Sequence, residues 1–124
     1  MKFFAASGEQ HHFGTDLTVS TATGPTDSGT PFYSSQSWSD PPTTALAPPA
    51  QVPAGGGFNF QCAWQNTSSS TVSYGLEAGE ETCYFAAYYY PSQGPQVCFH
   101  TDEVSGGLNF CCPGSTLCSS ILPN

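Results

Sequence analysis

The stretch "DLTVSTA", residues 16–22, sets apolar Leu17 and Val19 between polar Asp16, Thr18 and Ser20. That alternation is the signature of a strand with one wet face. Working outward, further candidate strands run over residues 1–6, 13–21, 32–38, 57–65, 70–74, 82–90 and 97–100, each bounded by Gly, Pro, Asn or Ser. Helix signals are almost absent: 13 glycines and 11 prolines punctuate the chain, and no i, i+3, i+4, i+7 apolar pattern is sustained. The expected fold class is therefore all-β. "CYFAAYYYP", residues 83–91, is mostly apolar and reads as a central strand covered on both faces and ended by Pro91. The Pro- and Ala-rich residues 39–57 are expected to form an extended, polyproline-like crossover between the two sheets of one sandwich. The strand-rich stretches on either side are too small for separate cores. The tail "CCPGSTLCSSILPN", residues 111–124, reads as a disulfide-pinned coil, and residues 1–124 as a single domain.

Composition narrows the function classes. The formal net charge is −8, and Lys2 is the only Lys or Arg. Nucleic acid is excluded as a partner, because binding it requires cations that displace counterions from phosphates. Anionic lipid surfaces are excluded on the same ground. Membrane insertion is not expected either, since no apolar run approaches the ~20 residues of a helical span. "MKFF" is too short for a secretory signal, so the expectation is a mature form or a piece of a longer protein. The six cysteines, Cys62, Cys83, Cys98, Cys111, Cys112 and Cys118, include no C-x2-C pair and favour disulfides over zinc thiolates. With the Asn66-Thr67-Ser68 sequon they point to an oxidising, extracellular or periplasmic compartment.

The order of motifs carries a resemblance. "HHFGTDLTVS", "FYSSQSWSDPP", "VPAGGGFNFQCAWQNTSSSTVSYG" and "GEETCYFAAYYYP" follow one another over residues 3–91. Together they resemble the C-terminal domain of the copper type II, ascorbate-dependent monooxygenases, the family of peptidylglycine α-hydroxylating monooxygenase, dopamine β-monooxygenase and bacterial relatives. The resemblance implies an antiparallel, jelly-roll-like β-sandwich stapled by disulfides. It also implies a bridge between Cys62 and Cys83, closing a loop of about 20 residues and contributing about 3 kcal/mol in the loop-entropy model. Cys98, Cys111, Cys112 and Cys118 remain for two further bridges. A vicinal Cys111–Cys112 bond is sterically awkward, so each is expected to pair with Cys98 or Cys118, in an order left open. The disulfide-rich segment 97–124 lies outside the resemblance.

In that family this domain binds the copper that activates O2, through a His-x-His pair and a methionine. Imidazoles suit both copper oxidation states, and a thioether favours Cu(I). Matching "EQHHFG" to the family pattern puts Glu9 at the first ligand position and His11 at the second. The methionine position, immediately before the second disulfide cysteine, holds Thr82. The ligand set is incomplete. A harder metal, Zn, Mn or Ca, is the alternative for Glu9 and His11 on one strand face, with Glu80 or Glu81 brought near by the fold. A shifted match through His11 and His12 supplies two imidazoles but spoils the aromatic-Gly that follows.

The family reaction also needs a second copper in a separate N-terminal domain, and no further histidine cluster exists here; His100 stands alone. Residues 77–81, "EAGEE", read as a solvated hairpin turn in preference to a glycosidase acid or a Ca²⁺ loop. "YYY" would offer a stacking platform for sugars only where rings face outward, and alternation buries at least one of the three. The expectation is a secreted, non-catalytic structural or binding module with a degraded copper site, no assigned cofactor, and strand edges suited to homo-oligomeric or extracellular assembly. The rival expectation is the O2- and copper-binding half of a monooxygenase acting with a separate, missing N-terminal domain.

Overall fold

The computed structural model describes residues 1–101 and 108–112, with side chains described through residue 99. The chain divides into two compact units, Met1–Pro91 and Ser92–Asn124. Every regular element among the described residues is a strand. The first unit contains β1 (Lys2–Gln10), β2 (Gly14–Ala22), β3 (Thr30–Ser35), β4 (Thr44–Ala50), β5 (Gly57–Trp64) and β6 (Cys83–Tyr90). They form two antiparallel three-stranded sheets, ordered β4-β1-β6 and β3-β2-β5. The second unit holds β7 (Val97–Thr101) and β8 (Leu108–Cys112), an antiparallel pair.

The two sheets make a sandwich-like arrangement because β1 and β2, consecutive in the chain, are the central strand of each. Ala6 of β1, Leu17 and Val19 of β2 and Tyr33 of β3 form the buried core, with Phe32, Phe58, Cys62 and Phe85 packed against it. Phe3 meets Phe58 edge to face at 4.8 Å. Tyr33 is buried to the tip of its ring, so its hydroxyl must find partners. It accepts the Gly8 amide at 2.9 Å and donates to the Pro42 carbonyl at 2.9 Å. Gly8 fits closely there: a Cβ would approach Tyr33 Cε1 to 3.1 Å and Leu17 Cδ1 to 3.0 Å, so ring and methyl would each have to give by a few tenths of an ångström.

Against β6 a bulge at Phe4 sets two steps of β1, Phe3 to Ala5, opposite the single step Tyr89 to Tyr88, whereas on the other side the same steps span Ala50 to Ala45 and the extra residues belong to β4. Phe3 therefore faces the core, Phe4 faces solvent, and inward positions resume at Ala6, Gly8 and Gln10. Cys62 and Cys83 are bonded, joining the outer strands β5 and β6 across the two sheets. This is the bridge the resemblance implies. Cys98 is also disulfide-bonded. The side chains of His100, Cys111 and Cys112, and the whole of Cys118 with the rest of the expected tail coil, lie outside the described residues.

Four expectations need correction. Residues 44–50 are not a free crossover: they pair with β1 as an edge strand. Extended, proline-rich backbone is close to β geometry, and Pro48 and Pro49 are tolerated because an edge strand does not need every amide. Residues 70–74 form no strand, only an isolated bridge from Tyr74 to Glu81. The polar run just before them turns on itself instead, with Asn66 Oδ1 accepting from the Ser68 amide and hydroxyl, and Asn66 Nδ2 donating to the Ser70 carbonyl. β6 is an edge strand rather than a central one, and Tyr84, Ala86, Tyr88 and Tyr90 alternate outward along it. Finally, residues 111 and 112, assigned to a coil, end β8.

Candidate functional site

The turn between β1 and β2 carries the two adjacent histidines. It closes with the Gly14 amide donating to the His11 carbonyl at 2.9 Å. Gly14 lies so close over Gln10 that a Cβ would come within 2.5 Å of the Gln10 Cβ. Gln10 is itself buried, and its side-chain amide donates to the Ala63 carbonyl at 3.0 Å, tying β1 to β5 of the other sheet.

Glu81 organises this turn. Its buried carboxylate accepts the His11 amide at 3.1 Å through Oε2 and the Phe13 amide at 2.6 Å through Oε1. The His11 ring is held from the same side, with Nδ1 2.7 Å from the Glu80 carbonyl oxygen. The Glu80 carboxylate turns the other way and accepts the Glu77 amide at 3.1 Å. Residues 77–80 form the expected turn, with Glu77, Ala78 and Gly79 exposed, but the segment ends in the buried carboxylate of Glu81, which caps another loop. Sequence reasoning brought Glu80 or Glu81 towards His11 as metal ligands. The fold brings both there, but as hydrogen-bond acceptors for backbone and imidazole nitrogens.

The remaining positions of the expected metal set have other partners. His11 has left the strand and sits at the head of the turn, while Glu9 remains on the outward face of β1. Glu9 Oε2 accepts a short hydrogen bond from the hydroxyl of Tyr84, its cross-strand partner on β6. The Tyr84 phenol is pushed up to about 12, first by that bond, then by partial burial and by the charge of Glu9. It stays protonated at neutral pH as a fixed donor. His12 is exposed and packs edge to face against Trp38 at 5.2 Å and Phe13 at 4.9 Å. Thr82 is wholly buried, and its hydroxyl has no hydrogen-bond partner.

These residues do not fit a copper centre. A copper cycling between its two states wants imidazoles and a soft donor, and Thr82 offers a hard, inaccessible hydroxyl. Among the described residues no group of three or more His, Cys, Asp and Glu side chains is placed to hold a metal. An open cleft of about 300 Å³ lies beside the turn, between residues 68–72 and 78–81, and reaches His12 and Phe13. Ser68 on its wall donates its hydroxyl to Asn66 Oδ1, so that hydroxyl is committed to its own loop rather than to a histidine base. No signal of residue type could have identified Glu81 as the cap, because its partners are backbone amides. Only the "EETC" placement at the head of β6 hints at it. No protein-family model, curated protein or solved structure matches the chain.

Proposed function

We propose that the chain is a non-catalytic, extracellular structural or binding module on the jelly-roll scaffold of a copper monooxygenase C-terminal domain, its copper site degraded. The observation that carries this reading is the use made of the site. His11, Glu80 and Glu81 are joined in a hydrogen-bonded lock, and the next residue, Thr82, is wholly buried. A catalytic copper of that family needs two imidazoles and a soft donor beside open positions for O2; here the first ligand position is Glu9, held by Tyr84, and the methionine position is the buried Thr82. The order of sequence motifs supports the family assignment, and the Cys62–Cys83 bond is compatible with an oxidising compartment. Among the described residues β4, β6, β3 and β5 are the outer strands of their sheets, positions that suit assembly with further copies.

Metal analysis of the purified chain, followed by copper titration of wild type and His11→Ala, tests the reading. The expected result is substoichiometric copper and no difference between the two proteins. Stoichiometric copper lost on His11→Ala would overturn this reading in favour of the copper-binding half of a monooxygenase.

A further inference from the structure

We infer that the outward face of β1 and β6 is a binding platform for an extended neutral polysaccharide. Tyr84, Tyr88 and Tyr90 of β6 and Phe4 of β1 are each 43–48% exposed, and their strands are paired directly. Residues two apart on a strand are spaced by about 6.6 Å, so the tyrosines form a row about 20 Å long, a length suited to a chain of sugars rather than to one. The Phe4 bulge supports the row at one end. Its ring stands 6.3 Å from Tyr88 and 6.1 Å from Tyr90, tilted by 47° and 42°. Beside the row the floor is low: Ala5 lies opposite Tyr88, Ser7 opposite Ala86, and Ala45 of β4 opposite Ala5.

The chemistry of the face selects the ligand. Pyranose rings present C–H groups of partial positive charge that match the negative faces of aromatic rings. Their hydroxyls need polar partners at the margin of the stack. Glu9, fixed by Tyr84 at one end, keeps a second carboxylate oxygen for this purpose, and Lys2 lies opposite Tyr90 at the other. One positive and one negative side chain leave the face itself balanced, while the chain's net charge of −8 repels anionic polymers. A neutral polymer meets no opposing field. The shallow floor of small residues offers no pocket for the bulky anchors on which protein partners depend. This inference rests on the binding-module reading but does not depend on the metal content of the turn.

Affinity electrophoresis of the full chain in gels containing β-glucan, xylan, mannan or galactan, with sedimentation on insoluble cellulose and chitin, tests it. At least one polymer should retain the wild type. Tyr88→Ala and Tyr84→Ala should each weaken that binding about tenfold. Tyr88→Phe should keep most of it, and Trp64→Ala on the other sheet should leave it unchanged. Circular dichroism establishes that the variants are folded. Failure to bind any polymer, retention that ignores Tyr88→Ala, or self-association abolished by Tyr88→Ala would each overturn the inference. The copper titration reports separately on the lost-catalysis reading, so the two can fail independently.

Discussion

The β1–β2 centre and the β5–β6 flank hold together by different means. β1 and β2 bury Phe3, Ala6, Gly8 and Gln10, and Gly14, Leu17, Val19, Ser20 and Ala22, mostly small side chains packed at close range. Neither β5 nor β6 contains a single buried residue. The flank is instead joined by the Cys62–Cys83 bond and by Phe85, whose ring lies 5.2 Å from both Phe58 and Phe60. A central strand with partners on both sides is stabilised by burial and by complete hydrogen bonding. Edge strands lack one row of partners, so a crosslink and large rings that tolerate water do more of the work. Close packing and exact polar pairing therefore belong to the centre, whereas adaptable surface belongs to the flank.

Four measurements can break or sharpen that contrast. The largest effect is expected at the central turn: Glu81→Ala leaves the His11 and Phe13 amides without their charged acceptor and should cost about 4 kcal/mol in urea unfolding. A loss below about 1 kcal/mol would show that the turn holds without its cap. Next, replacing Cys62 and Cys83 together by Ser should lower stability by about 3 kcal/mol, and a much smaller loss would assign the flank to its rings alone. Thr82→Val runs in the opposite direction. It removes a buried hydroxyl without a partner while keeping its shape, and should stabilise the protein by about 1 kcal/mol, read by calorimetry.

The smallest effect concerns the flank at high pH. The Tyr84 pKa is raised in the folded chain from 10.0 to about 12, so the folded state holds this proton more tightly than the unfolded one. The resulting stability is fully present below about pH 10 and is lost as pH rises through about 12. Tyr84 is well exposed, so solvent screens the effect. Its signature is a tyrosinate absorbance step near pH 12 that disappears in Tyr84→Phe, together with a flatter alkaline limb of the stability profile. A step at the ordinary tyrosine pKa would show that the Glu9 bond is not maintained in solution.

The division between centre and flank also explains what was legible beforehand. The all-β class follows from punctuation by Gly and Pro and from alternation at Leu17 and Val19, which are local properties and survive folding intact. The Cys62–Cys83 pairing came through the family pattern rather than from spacing. β4 was hidden because proline-rich extended chain and edge strand differ mainly in whether a neighbour pairs with them. "CYFAAYYYP" has the apolar content of a buried strand, but content alone does not fix burial, and an edge position leaves alternate rings in water. The site was the least legible part. Glu81 reaches amides 68 and 70 residues away in sequence, and no local rule connects an acidic loop to a distant turn.

The bulge at Phe4 makes β1 a strand with a phase slip built into it. Upstream of the slip odd-numbered residues face the core, as at Phe3; downstream even-numbered residues do, at Ala6, Gly8 and Gln10. A substitution at Phe4 would alter one ring on the surface. Deleting the residue is a different kind of lesion, comparable to a frameshift. Either Phe3 is expelled into water, or Ser7 and Glu9 are driven inward while Gly8 loses its place beside Tyr33 and Gln10 its bond to Ala63. A position whose side chain serves only the surface is thus, for the fold, intolerant of the absence of its backbone, and length rather than chemistry is what the strand enforces there.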